Sequence, residues 1–146
     1  MTPLKNTPPT EFSCPINCAI DAFGSKASLL ILRQIFYGDR RFDALVTNTG
    51  ISEATVAKRL HELVDFGILQ KVPYQEPGAR PRHEYQLTET GEELLPVILV
   101  LFQWGQKHLT KPDSSLQLLG PDNKPIHISI RSSSGEELTI SELHVG

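Results

Sequence analysis

The stretch from Ser52 to Leu87 constrains the fold most, because its hydrophobic period switches from that of a helix to that of strands. Ser52 has the properties of a helix N-cap, apolar residues then recur at helical spacing to Phe66, and Gly67 suits the left-handed residue that ends a helix. With Leu60 taken as the inward reference, Val56, Ala57, Leu63 and Val64 fall on the same side. Thr55, Lys58 and Glu62 point the opposite way, with Arg59 and His61 on the flanks. Ile68–Tyr74 and His83–Leu87 then read as strands, separated by the Pro/Gly turn Gln75-Glu76-Pro77-Gly78-Ala79-Arg80-Pro81-Arg82. The expected product is a capped helix with one polar, partly basic face, followed by a β-hairpin with a basic tip.

Elements on either side complete a recognisable order. Pro15–Phe23 and Lys26–Tyr37 read as helices, the second ended by Gly38, and Asp43–Asn48 as a short third helix. Arg40-Arg41-Phe42 is expected to add a brief strand, and Thr49-Gly50-Ile51 a tight connection. Thr88 is expected to cap a long helix reaching about Leu109, kinked near its start by Pro96. Helix, helix, short strand, helix, capped helix, two strands and a long helix is the winged-helix order. The fold expected is therefore α+β, mainly α: a flexible arm at 1–13, a winged helix-turn-helix domain with a long dimerisation helix at 14–110, and a linker with a small C-terminal β-hairpin extension at 111–146. In that extension Ile126–Ile130 alternates as a strand, Ser132–Gly135 turns, and Leu138–Val145 pairs back.

A module of this kind places its capped helix in the DNA major groove and its hairpin along the backbone or the adjacent minor groove. Ser52, at the helix N-terminus, is expected to meet a phosphate, and Thr55 and Lys58 to face base edges with Arg59 beside them. Glu62 is placed to hold Lys58 through a pair one turn apart. Arg80 and Arg82 at the hairpin tip, and Arg41 ahead of the third helix, are expected at the sugar-phosphate backbone.

The last helix sets the quaternary expectation. Leu94, Leu95, Val97, Ile98, Leu99, Val100, Leu101, Phe102 and Trp104 leave it apolar almost all the way round. A terminal helix on a small domain can hide one stripe against its own core and not its whole circumference, so a twofold pairing of identical chains is expected. Leu95, Ile98, Leu99, Phe102 and Trp104 are the candidate dimer contacts.

Composition excludes more than it selects. Net charge is −3 over 146 residues, but residues 113–146 hold 2 of the 14 basic and 5 of the 17 acidic residues, which leaves 12 of each in the rest. A neutral body can still bind a polyanion if its cations gather on one face. No glycine-rich phosphate loop, nucleophile elbow or His/Cys/carboxylate cluster is present, so neither an enzyme, a metal site nor a cofactor is expected. The apolar run Leu94–Trp104 is too short to span a bilayer and no basic-then-apolar leader precedes the fold, so a soluble, cytoplasmic protein without membrane partners is expected. Cys14 and Cys18 make no disulfide framework.

The chain resembles the HxlR-type regulators, relatives of the MarR group. The resemblance runs from Cys14-Pro15 through Lys26 with Leu29-Leu30-Ile31-Leu32-Arg33, Arg41-Phe42-Asp43-Ala44-Leu45, Gly50-Ile51-Ser52, Arg59-Leu60-His61-Glu62-Leu63, Gly67-Ile68-Leu69, Tyr85-Gln86-Leu87-Thr88 and Gly91 to Trp104-Gly105. It departs at Ser25-Lys26-Ala27, where the family usually has Gly-Lys-Trp. The resemblance implies a dimeric winged-helix transcription factor that binds operator DNA, often autoregulatory or repressing a neighbouring operon, some members sensing electrophiles or oxidants. A small-molecule effector and a repressor role are separate expectations for this chain. Cys14, beside a helix N-terminus where thiolates are favoured, is the redox-sensing candidate. Its bland alternative is an unreactive boundary residue, with Cys18 a small core hydrophobe. The rival from another class is a winged-helix protein-interaction module that grips a partner protein and lacks specific DNA binding.

Overall fold

The computed structural model describes residues 14–109, 111 and 117–144. Residues 14–99 belong to one compact unit, and the described residues from Val100 onward belong to a second.

In the first unit α1 (Pro15–Phe23) starts with proline, whose missing N–H costs nothing in a first helical turn. α2 (Lys26–Phe36) is capped by Ser25, whose hydroxyl oxygen accepts from the Ser28 N–H. It ends at Gly38, where φ is +107°. α3 (Phe42–Thr49) closes on Gly50 in the left-handed conformation, and α4 (Glu53–Asp65) follows after a two-residue turn and the Ser52 cap. α2 packs against both α3 and α4, and α3 against α4.

The core lies between these helices and the first strand. Ile31, Leu32 and Ile35 of α2, Leu45 of α3, and Val56, Leu60 and Leu63 of α4 are buried together with Ile68 and Leu69. Each such side chain contributes roughly 1.5–3 kcal/mol relative to leaving it in water. A polar network locks the corner from α2 to α3: buried Gln34 donates from Nε2 to Asp39 Oδ2 (2.9 Å), which also accepts from Asn48 Nδ2 (2.7 Å). Ala57, expected inward, is exposed, whereas Val56, Leu60 and Leu63 form the inward stripe.

β1 (Leu69–Tyr74) and β2 (Arg82–Leu87) pair antiparallel, with Leu69 opposite Leu87 and Tyr74 opposite Arg82. The strand expected at Arg40–Phe42 does not form. Arg41 caps α3 and Phe42 is its first residue, so only one ladder bond is made there, from Tyr85 N–H to the Arg40 carbonyl (2.7 Å).

The long helix expected after Thr88 is two helices. α5 (Glu89–Glu92) is capped by Thr88, whose Oγ1 accepts from the Gly91 N–H (3.1 Å) and donates to the Ile68 carbonyl. The chain then breaks at Glu93–Leu94 before α6 (Leu95–His108). Pro96 explains the break, because its ring meets the carbonyl four residues back and it has no N–H to give. A kink was too mild an expectation; the proline sits instead in the first turn of α6, where it is tolerated.

In the second unit Gln103 Nε2 donates to the Ile126 carbonyl (2.9 Å). The extension has less strand than its alternation suggests: β3 (Ile130–Arg131) pairs with β4 (Glu137–Leu138), and Leu119 bridges Pro125. Residues 126–129 form no ladder, since β4 stops at Leu138, before Thr139 caps a short 3₁₀ turn at Ile140–Glu142. The turn expected at Ser132–Gly135 is present. The arm at 1–13 and Val145 lie outside the described residues.

Candidate nucleic-acid interface

α3, the turn at Gly50–Ser52 and α4 form a helix-turn-helix. Its geometry rests on glycine at position 50, where φ is +69° and a side chain would be strained. Ser52 Oγ accepts from the Thr55 N–H (3.3 Å) and donates to Thr55 Oγ1 (2.9 Å). The two hydroxyls therefore hold each other at the start of α4, where the helix dipole and free N–H groups favour an anion.

Along α4 the expected residues separate. Lys58 is exposed and makes no ion pair among the described residues, so its ammonium is available. Arg59 is not equivalent. Its guanidinium pairs with Glu62 (2.6 Å), and its buried Nε has no hydrogen-bond partner. The pairing expected between Glu62 and Lys58 is replaced by this one, which lies three residues apart and is half-buried.

The wing is a seven-residue loop between paired strand ends. Glu76-Pro77-Gly78-Ala79 is a tight turn closed by Ala79 N–H to the Glu76 carbonyl (3.0 Å), with Gly78 at φ +77°. Gln75 Nε2 adds a bond to the Ala79 carbonyl (3.1 Å). Arg80 is exposed at the tip and Arg82 begins β2, 4.0 Å from Asp43 of α3.

Arg41 sits apart from the expectation of a free backbone contact. Its guanidinium lies 4.3 Å above the Tyr74 ring and 2.6 Å from Glu76 Oε1. That hydrogen bond, with the charge of Glu76, raises its pKa above the ordinary arginine value. Tyr74, Glu76 and Asp43 were not among the residues singled out from sequence. Residues 41 and 76 are separated by 35 positions, so no local pattern in the sequence points to their pairing.

Of the expected dimer residues, Leu95 (37% exposed) and Trp104 (58%) face outward, whereas Ile98 packs on the core and Leu99 and Phe102 are half-buried. The more exposed apolar positions of α6 also include Val97, Val100 and Leu101. On α1, where no residue is buried, Ile16 and Ile20 lie one turn apart and face solvent. Cys14 caps α1 half-buried with no side-chain cap bond, and Cys18 is exposed, not a core residue.

These parts define a winged helix-turn-helix module. The family model for HxlR-like helix-turn-helix proteins matches residues 22–113, and the chain belongs to that family. It is 44% identical over 95 residues to an uncharacterized HTH-type transcriptional regulator of Mycobacterium tuberculosis (strain CDC 1551 / Oshkosh), a match covering 65% of this chain and 59% of that relative. The chain thus spans less than two thirds of that relative's length. Among solved structures it is similar to PA1607, described as a candidate transcription factor (31% identity, TM-score 0.80, covering 92% of this chain and 94% of the other). It is also similar to the redox regulator HypR in its oxidized form (27% identity, TM-score 0.61, covering 67% of this chain and all of the other).

Proposed function

We propose that the chain is a sequence-specific DNA-binding transcription regulator that acts as a homodimer. The observation that carries the reading is the division of α4: Val56, Leu60 and Leu63 anchor one face in the core, and Lys58 stands exposed on another, with no ion pair among the described residues. Arg80 and Arg82 on a turn-stiffened wing supply phosphate contacts beside it. Lys58 and Thr55 read base edges, Lys58 through guanine O6 and N7. The exposed apolar residues Val100, Leu101 and Trp104 of α6 give the second copy its seat. A dimer so bound occludes a promoter without further parts, and repression is the action assigned to it. The test is footprinting on genomic DNA with the purified chain. A protected, twofold-related site near its own gene supports the reading, and protection of no sequence removes it.

A second reading concerns the input. Cys14 is half-buried at the start of α1, and the fold is similar to a redox regulator captured in an oxidized form. In this reading two Cys14 thiols of a dimer give one disulfide, with two protons and two electrons passing to an oxidant such as diamide. Non-reducing mass spectrometry after modest diamide treatment tests it. Unmodified Cys14 ends the idea.

A further inference from the structure

We propose that Arg41 does not contact DNA but positions the wing, through a clamp formed by Tyr74, Glu76 and the start of α3. The inference deepens the DNA-binding reading and rests on it for its binding arm.

Four contacts converge on one corner. The Arg41 guanidinium stacks over Tyr74, the last residue of β1, and pairs with Glu76, the first residue of the wing turn. Arg82, opposite Tyr74 in the ladder, lies near Asp43 two residues beyond Arg41. One backbone bond joins Tyr85 to Arg40. The end of β1 is thereby tied to Arg41 through Tyr74 and Glu76, and β2 to Arg40 through the Tyr85 backbone. A two-stranded hairpin is only marginally ordered by itself, so an attachment of this kind decides where its tip points.

Charge bookkeeping favours the clamp over a phosphate contact. If Arg41 turned to a phosphate, Glu76 would be left unpaired beside the polyanion, and the loss of that pair would offset the new one. Kept together, the two groups bring no net charge to the DNA. Among the described residues Arg80 and Lys58 are exposed and make no ion pair, and Arg82 lies 4.0 Å from Asp43. An acidic residue in a basic wing then has a purpose: Glu76 is the anchor to which Arg41 binds.

The sign of the Glu76→Ala effect discriminates. Fluorescence anisotropy with a short random-sequence duplex, and with DNA upstream of the chain's own gene, reads the affinity. Under the clamp, R41A and E76A each weaken binding by about threefold to tenfold, and the double variant is no worse than either alone. R41K keeps the charge but gives up the planar stack, so it restores little. Tighter binding by E76A, or near-complete restoration by R41K, would mark Arg41 as a phosphate contact and overturn the proposal. A second measurement needs no DNA. Trypsin cleavage after Arg82 in the free protein should rise several-fold in R41A and E76A, while Arg80-Pro81 resists the enzyme. Unchanged cleavage overturns the clamp. Failure of the wild-type chain to bind either duplex would instead remove the DNA-binding reading, with the clamp still decided by proteolysis.

Discussion

Arg59 Nη1 lies 2.6 Å from Glu62 Oε2 on α4, an ion pair that its neighbour Lys58 does not share among the described residues. The side chains are 30% and 35% exposed, so the contact is one of packing as much as of charge. Arg59→Ala is expected to lower stability by about 0.5–1 kcal/mol. Urea unfolding checks this, and the same variant should keep the sequence preference of the wild type. Loss of preference without loss of stability would place Arg59 in the groove.

Gly91 is buried against the Ile68 backbone, just ahead of β1, and the Leu87 side chain of β2. A Cβ there would stand 2.1 Å from the Ile68 carbonyl oxygen, an atom of backbone that also accepts from Thr88. Gly91→Ala must therefore move α5 away from the Ile68 backbone, at a cost of about 3 kcal/mol. Thermal unfolding should show the drop, and a melting curve like that of the wild type would contradict the packing.

Leu101 and Trp104 project from α6 with about half of their surface in solvent, at 50% and 58%. Burying them in a twofold interface makes a charge there costly. Leu101→Asp with Trp104→Asp is expected to convert a dimer to a monomer in light scattering at micromolar concentration. A dimer that survives both substitutions would assign the interface elsewhere.

Glu142 accepts from the Thr139 backbone N–H (2.6 Å) and from its hydroxyl, and the backbone bond first, then the hydroxyl, holds its pKa below the usual 4.5. A carboxylate lowered in this way stabilises the turn above its unfolded pKa and loses that effect as pH falls through the folded one. The Thr139 amide resonance should titrate with a midpoint below 4.5. A midpoint at or above that value would show the capping box open in solution.

Features that act through adjacent backbone are legible in the sequence, whereas pairings between distant segments are not. Ser52, Gly67 and the hairpin turn at Gly78 act through neighbouring backbone, and each stands in the structure as its residue type implies. Pro96 was legible as a disruption, but its effect depended on Thr88 and Gly91 having already closed a separate turn against Ile68. The strand expected at Arg40–Phe42 failed because α3 claims Phe42, leaving one ladder bond. The alternation at Ile126–Ile130 promised a strand that found no partner beyond Ile130, since pairing is a property of two segments. In the candidate site, Lys58, Arg80 and Arg82 could be seen along the chain, whereas the pairing of Arg41 with Glu76 joins residues 35 positions apart.

The central claim is that α4 reads DNA through Lys58 while the wing supplies phosphate contacts. Its most direct test is the salt dependence of binding to the footprinted site and to random duplex, compared for the wild type, Lys58→Ala and Arg82→Ala. The account predicts that Lys58→Ala loses discrimination between the two duplexes, by about 1–3 kcal/mol. Arg82→Ala should instead weaken both equally and reduce the slope of log K against log salt by about one. Binding by both variants indistinguishable from the wild type would contradict the placement of α4 and its wing on DNA.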